Sequence, residues 1–180
     1  MPDEWDVVIR ACEPRDEQAL SLVAQATILE TYAGIIDGAD LVGYVSEEQT
    51  VADFAQLGSD RVRAWLAETS AGRCPVGYAL AISDKGPKLF SSFELKRLYL
   101  FHRFRGKGVG KRLMEEVLSF AKQQNAENIW LQVHEANHHA IEFYKHWGFV
   151  ERGVDLFPAG KGSYRVLVLD KEVGRNPSRG

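Results

Sequence analysis

The stretch LKRLYLFHRFRGKGVGKRL, residues 95–113, constrains this chain more than any other. LKRLYLF alternates, with its leucines on one side, and reads as a strand. It runs into a turn holding Gly106, Gly108 and Gly110. From Gly108 the period becomes helical, because Val109, Leu113, Val117 and Ala121 lie four apart. A strand feeding a glycine-rich turn that opens a helix presents unpaired N–H groups at the positive end of the helix dipole. Such an end takes phosphate oxygens. Arg103, Arg105, Lys107, Lys111 and Arg112 flank it, with no acid in the same ten residues, which is a polyphosphate environment. Two nucleotide fingerprints fail. A Walker loop begun at Gly106 needs glycine where Lys111 stands, and Gly-x-Gly-x-x-Gly needs it at Lys111 or Leu113. Standing alone, Arg-x-x-Gly-x-Gly also fits a tightly packed helix start with a solvated basic face.

Around this passage the pattern is β-α-α-β-β-β-α-β-α-β-β. VVIR (7–10) reads as a first strand, and Asp16 to about Leu29 as a helix. A turn-rich interval holds Gly34, Gly38 and Gly43, and a second helix follows from about Ser46 to Leu57, with Ser46 as its cap. Strands follow at 61–68, 76–83 and 95–101, with KGP breaking the pattern at 85–87. The helix from Gly108 carries outward Lys111–Glu115 and Arg112–Glu116 pairs. A strand at 128–134, a helix from Asn137 to about Trp147 and two closing strands, FVERG and SYRVLVLD, complete the order. This implies an α/β class with a mixed sheet and helices on both faces. At 180 residues one domain is expected, over 1–172, with 173–180 a flexible tail. No export signal or long apolar stretch appears, so the cytoplasm is the default address, and Cys12 and Cys74 are expected as free thiols.

The loop has company in register. IWLQVHEANHHAIEFYKHWGF carries Asn137, Ala140, Tyr144, Gly148 and Phe149 as Asn-x-x-Ala-x-x-x-Tyr-x-x-x-Gly-Phe. With Arg105, Gly108 and Gly110, this resembles the GNAT superfamily of acyl-CoA-dependent N-acyltransferases. The resemblance spans roughly 94–150. It implies a central mixed sheet of about seven strands whose middle pair, 95–101 and 128–134, splays apart. It implies acetyl-CoA as cosubstrate and no metal. The pyrophosphate would lie on Arg105, Gly106, Lys107, Gly108, Val109, Gly110 and Lys111. The pantetheine arm would pair with the strand edge at Leu98, Tyr99 and Leu100, and Asn137 would hydrogen-bond it. Tyr144 would point its hydroxyl at the sulfur as the acid; on spacing alone it equally fits a core aromatic among Phe143, Trp147 and Phe149. Glu94 would activate the amine through water, or is a solvated acid at a strand end. Other members place a Glu in the following strand, where Gln132 stands here and cannot act as a base; His134 and Glu135 are the further candidates. His138 and His139 point about 100° apart on a helix and read as surface residues rather than ligands.

The net charge of −3 hides two opposed regions. Residues 1–93 carry −8, with no Lys or Arg between Arg15 and Arg61, whereas residues 94–112 carry +6. The first region would draw in a cationic acceptor, or is two solvated amphipathic helices, and the whole disfavours general nucleic-acid binding. ILETYAG, FELKRLYL and AIEFYKHWGFVERG are similar to bacterial GNATs that acetylate spermidine and related polyamines. The expected activity is therefore acetyl transfer to a small cationic amine. The alternatives are protein N-terminal or lysine acetylation, and a noncatalytic acyl-CoA-binding module. Homodimers are frequent among the resembling proteins.

Overall fold

The computed structural model describes residues 6–55, 57, 59, 61–84 and 92–174. In chain order these form β1 (Val7–Ala11), α1 (Glu17–Tyr32), α2 (Gly38–Glu48), β2 (Val62–Thr69), β3 (Pro75–Asp84), β4 (Ser92–Leu100), α3 (Val109–Gln123), β5 (Asn128–His134), α4 (His138–His146), β6 (Val150–Ala159) and β7 (Gly162–Glu172). Short 3-10 turns lie at Pro14–Asp16, Val51–Phe54 and His102–Phe104. The seven strands form one sheet in the order β1-β2-β3-β4-β5-β7-β6. Among the described residues β4 and β5 are the parallel pair, and every other neighbour is antiparallel. The mixed α/β architecture expected from the sequence is therefore the one observed.

Each face of the sheet has its own core. On one, α3 buries Val109, Leu113, Met114, Val117 and Ala121 against the strands, and Ile141 and Tyr144 of α4 join the same cluster. On the other, Leu20, Val23 and Ala24 of α1 pack with Leu66, Tyr78 and Leu80. Ile28 of α1 meets Leu41 and Val45 of α2 beyond them. Val173, just past β7, is buried in the first cluster, and its N–H reaches the Glu127 carbonyl at 2.8 Å. Residues 175–180 and the KGP break lie outside the described residues.

The second helix is displaced from its expected place. It runs over 38–48, not 46–57, and Asp37 caps it, accepting from the Ala39 and Asp40 N–H groups at 2.9 and 3.2 Å. Ser46 lies inside it, its hydroxyl donating back to the Val42 carbonyl at 2.8 Å. Gly43, inside this helix, faces the β6–β7 turn, where a Cβ would meet Gly160 Cα in ordinary contact at 3.7 Å. Arg112 also departs from expectation, donating to the Val7 carbonyl at 2.8 Å instead of pairing with Glu116. Lys111–Glu115 forms, at 3.8 Å.

A charge network fastens β1 to β2. Arg10 donates to both Asp16 oxygens (2.7 and 2.8 Å) and to both Glu68 oxygens (3.1 and 2.9 Å). The Asp16 and Glu68 side chains are only 9% and 6% exposed. Removing the shared cation leaves the nearly buried Asp16 carboxylate without an ion pair and Glu68 with only the exposed Arg73, 3.0 Å away. Arg10→Met is expected to cost about 3 kcal/mol, the lower end of the range because Arg10 itself is partly solvated. In a chain this size that lowers Tm by about 6–12 °C in thermal unfolding. The hydrogen bonds from Arg10 hold the Asp16 carboxyl below its ordinary value. That stabilisation is full above about pH 4 and is lost as pH falls through the lowered folded value. The gap between wild type and variant should therefore narrow on acidification.

Candidate active site

The site arises where β4 and β5 part. Among the described residues they pair only at Ser92–Asn128, Phe93–Ile129 and Glu94–Trp130. Beyond Glu94 the β4 backbone keeps β3 on one side and loses β5 on the other. The β3–β4 register also shifts between Leu80–Arg97 and Ala81–Leu95, so Lys96 is a bulge residue. The bulge reverses the alternation. Leu95, Leu98 and Leu100 all face the α3 core, while Glu94, Arg97 and Tyr99 turn toward α1 and α2, opposite Ile82, Leu80 and Tyr78.

A cavity of about 340 Å³ fills the gap. Leu98, Tyr99 and Leu100 form one wall, and Asn137, Ala140 and Tyr144 the other. Arg105, Gly106, Gly108, Gly110 and Lys111 form its end. Two expected residues stand apart: the Val109 side chain is buried in the core, leaving only its N–H to the loop, and exposed Lys107 does not line the cavity. Gly106 and Gly108 adopt φ of +71° and +77°, which a side chain resists, and together they turn the chain into α3. Arg105 is structural in its contacts. Its guanidinium donates to the Leu100 carbonyl at 3.2 Å and to the Thr31 hydroxyl at 3.1 Å, binding the loop to β4 and α1. The basic cluster seen in the sequence thus divides, with Arg105 and Lys111 on the cavity and Arg112 turned to β1.

Asn137 caps α4, its side chain accepting from the Ala140 N–H at 3.3 Å and meeting the Tyr32 hydroxyl. The Tyr144 ring is 7% exposed and packs edge-on to Phe143 and Phe149. Its hydroxyl has no hydrogen-bond partner among the described residues, and burial pushes its pKa above the ordinary tyrosine value. The ring is core, as one reading of Tyr144 expects, and the residue also lines the cavity.

A second recess of about 70 Å³ opens on the α1–α2 side and shares Tyr32, Lys96, Arg97, Tyr99 and Gln132 with the cavity. The two therefore meet through the split in the sheet. Glu94 lines this recess, its side chain 16% exposed and 3.1 Å from Lys96 Nζ. His134 lines it too, but its Nδ1 accepts from the Ala136 N–H at 3.1 Å and burial lowers its pKa. A neutral ring with Nδ1 accepting carries its proton on Nε2, so His134 is a donor here, not a base. Glu135 lies outside both spaces, paired with Arg165 at 3.4 Å. Gln132 donates to Asp155 at 3.0 Å.

The roof of the recess comes from residues the sequence did not single out. Tyr164 donates to Asp40 at 2.7 Å, and the Lys161 N–H meets the same carboxylate at 2.8 Å, which ties the β6–β7 hairpin to α2. A Cβ on Gly162 would lie 2.3 Å from Asp40 Oδ2. Gly162→Ala is therefore expected to break this tie and raise the acceptor KM severalfold in steady-state assays, with little change in coenzyme affinity. No cluster of three metal-ligating side chains occurs among the described residues. None of their helices is long and apolar enough to cross a membrane.

Known proteins share this fold. The sequence model of the Acetyltransferase (GNAT) family matches residues 36–149. An uncharacterized N-acetyltransferase of Mycobacterium tuberculosis is 30% identical over 158 residues, covering 88% of this chain and 98% of its own. The spermine/spermidine N(1)-acetyltransferase of Bacillus subtilis is 33% identical over 60 residues, 33% of this chain and 40% of its own. Among solved structures, the PaiA N-acetyltransferase of Thermoplasma acidophilum in complex with coenzyme A superposes with a TM-score of 0.76 at 23% identity, covering 93% and 99% of the two chains. The chain belongs to the GNAT family of acetyltransferases and is an acetyl-CoA-dependent N-acetyltransferase.

Proposed function

We propose that the cavity between β4 and β5 binds acetyl-CoA, and that a small primary amine enters from the opposite recess and attacks the thioester directly. The observation that carries this reading is the junction of the two spaces through the split sheet, at Tyr99 and Gln132. The free N–H groups of the first α3 turn, with Lys111, take the pyrophosphate. The unpaired β4 edge at Leu98–Leu100 takes the peptide-like pantetheine arm, and Asn137 faces it across the gap.

In the reaction the amine nitrogen forms a bond to the acetyl carbon as the C–S bond breaks. The nitrogen loses a proton and the sulfur gains one, giving an amide and a free thiol. Glu94, on the recess side, accepts through a water the proton that an alkylammonium, with a pKa of about 10, must shed before attacking; the proton lost on amide formation is the second to leave the nitrogen. Tyr144, on the cavity side, donates to the departing sulfur. Base and acid thus stand on opposite sides of the split.

A small acceptor suits a recess of about 70 Å³ roofed by the Tyr164–Asp40 contact. A polyamine finds support in the partial Bacillus subtilis match. The acidic interval adds less than its charge promised. Asp37 caps α2, Asp40 holds the hairpin, Asp16 pairs with Arg10, and Glu30 accepts from the His102 N–H. Among the described residues the one carboxylate lining the recess is Glu94. Calorimetry with acetyl-CoA and a thiol-release assay over polyamines, amino acids and peptides test the reading. Absence of binding at millimolar coenzyme would refute it.

A further inference from the structure

The recess holds a cation that no carboxylate among the described residues neutralises. Arg97 lines both the cavity and the recess, brought to that face by the bulge at Lys96. It is half-buried, and its guanidinium meets the Tyr44 hydroxyl. No carboxylate among the described residues pairs with it; Glu94, two strand positions away, is taken by Lys96 at 3.1 Å. A guanidinium offers five N–H donors and no acceptor. Withdrawing it from water without a counter-ion costs several kcal/mol, which a protein tolerates where a ligand supplies the anion.

Its surroundings offer donors as well. His134, with its proton on Nε2, lines the same recess, and so does Tyr44. The Tyr78 hydroxyl, beside Arg97 on the adjoining strand, is fully buried and has no hydrogen-bond partner. A polycation would meet Arg97 and Lys96 as like charges. A molecule carrying an oxyanion would complete the cluster.

We propose that the acceptor is a small amino acid-like zwitterion, a primary amine carrying a carboxylate that docks on the Arg97 guanidinium while its nitrogen faces the thioester. This rests on the acetyl-transfer reading above and narrows it. The recess, at about 70 Å³, has room for about five water-sized groups, the scale of a small amino acid.

The test is a thiol-release assay on matched pairs that differ only in the anion: glycine with glycinamide, β-alanine with β-alaninamide, further α-amino acids with their amides, and spermidine alongside. Wild type is expected to favour the acid of at least one pair by about tenfold or more in kcat/KM, the scale of one charge-assisted contact. In Arg97→Gln that ratio should collapse toward one, and Arg97→Lys should restore part of it. Preference for the amides or spermidine, or no turnover of any acid by coenzyme-bound protein, overturns the proposal. A preference for acids that survives Arg97→Gln overturns the assignment to Arg97. Where Arg97→Gln fails to fold, the wild-type ratios decide alone. Failure of acetyl-CoA to bind in calorimetry would instead strike the acetyl-transfer reading itself, so the two failures are distinguishable.

Discussion

Tyr144→Phe is expected to lower kcat by about 10²-fold, the lower end of what a positioned proton donor contributes. The acetyl-CoA dissociation constant should stay within about twofold, because the removed hydroxyl has no protein partner to orphan. The ring contacts with Phe143 and Phe149 survive the change, so Tm should hold. Burial raises the Tyr144 pKa, and the hydroxyl therefore keeps its proton across the working range. The same burial makes a departing thiolate more basic than it is in water, which offsets the weakened acidity of the phenol. Consequently, kcat should show no falling limb from Tyr144 below about pH 10, the ordinary tyrosine value. Stopped assays of kcat against pH, with calorimetry for the coenzyme, check both halves. Unchanged turnover in Tyr144→Phe would remove it from the acid role.

The parts of the fold that were readable in the sequence are those whose order is local. The phosphate-loop helix announced itself because Val109, Leu113, Val117 and Ala121 repeat at one helical face, and all four are buried. The strand at 128–134 alternates over its whole length and was found at its observed bounds. The second helix differs from its expected place because its start is set by the Asp37 cap, and its Asp40 is held by Lys161 and Tyr164 from the far end of the chain. Arg97 was passed over for a related reason. In an alternating strand a base reads as solvent-facing, and only the Lys96 bulge turns it inward. The regular alternation expected over 95–101, with its leucines on one side, does not hold: Leu95 and Leu98 cannot share a face of a regular strand, and the bulge is what brings all three leucines to one face. Charge was the least faithful guide. Counting acids along 1–93 could not say that they would be spent on caps and pairs, nor that Arg112 would leave the phosphate loop for β1.

Gly108→Glu is expected to weaken acetyl-CoA binding by about 10²-fold, for a reason separable from backbone strain. Gly108 has φ of +77°, so any L side chain there costs about 1–2 kcal/mol. Nothing lies within 4 Å of the Cβ position, and a side chain therefore fits without a clash. A carboxylate at this N-cap is even favourable to the empty helix, because it meets the positive end of the dipole. The variant should accordingly fold. It would, however, put a negative charge where the pyrophosphate must sit. Two unit charges about 4 Å apart near a protein surface repel by about 4 kcal/mol, before salt screening reduces it. Gly108→Ala carries the strain without the charge and isolates that term. Alanine should lower Tm and leave coenzyme binding within about fivefold, because strain of about 1–2 kcal/mol is carried by the free and the bound protein alike. Glutamate should weaken it far more, and by an amount that shrinks as ionic strength rises. If the two variants bind acetyl-CoA alike at every salt concentration, strain is the whole effect and the helix end does not face the pyrophosphate. Normal affinity in Gly108→Glu would remove the phosphate assignment altogether.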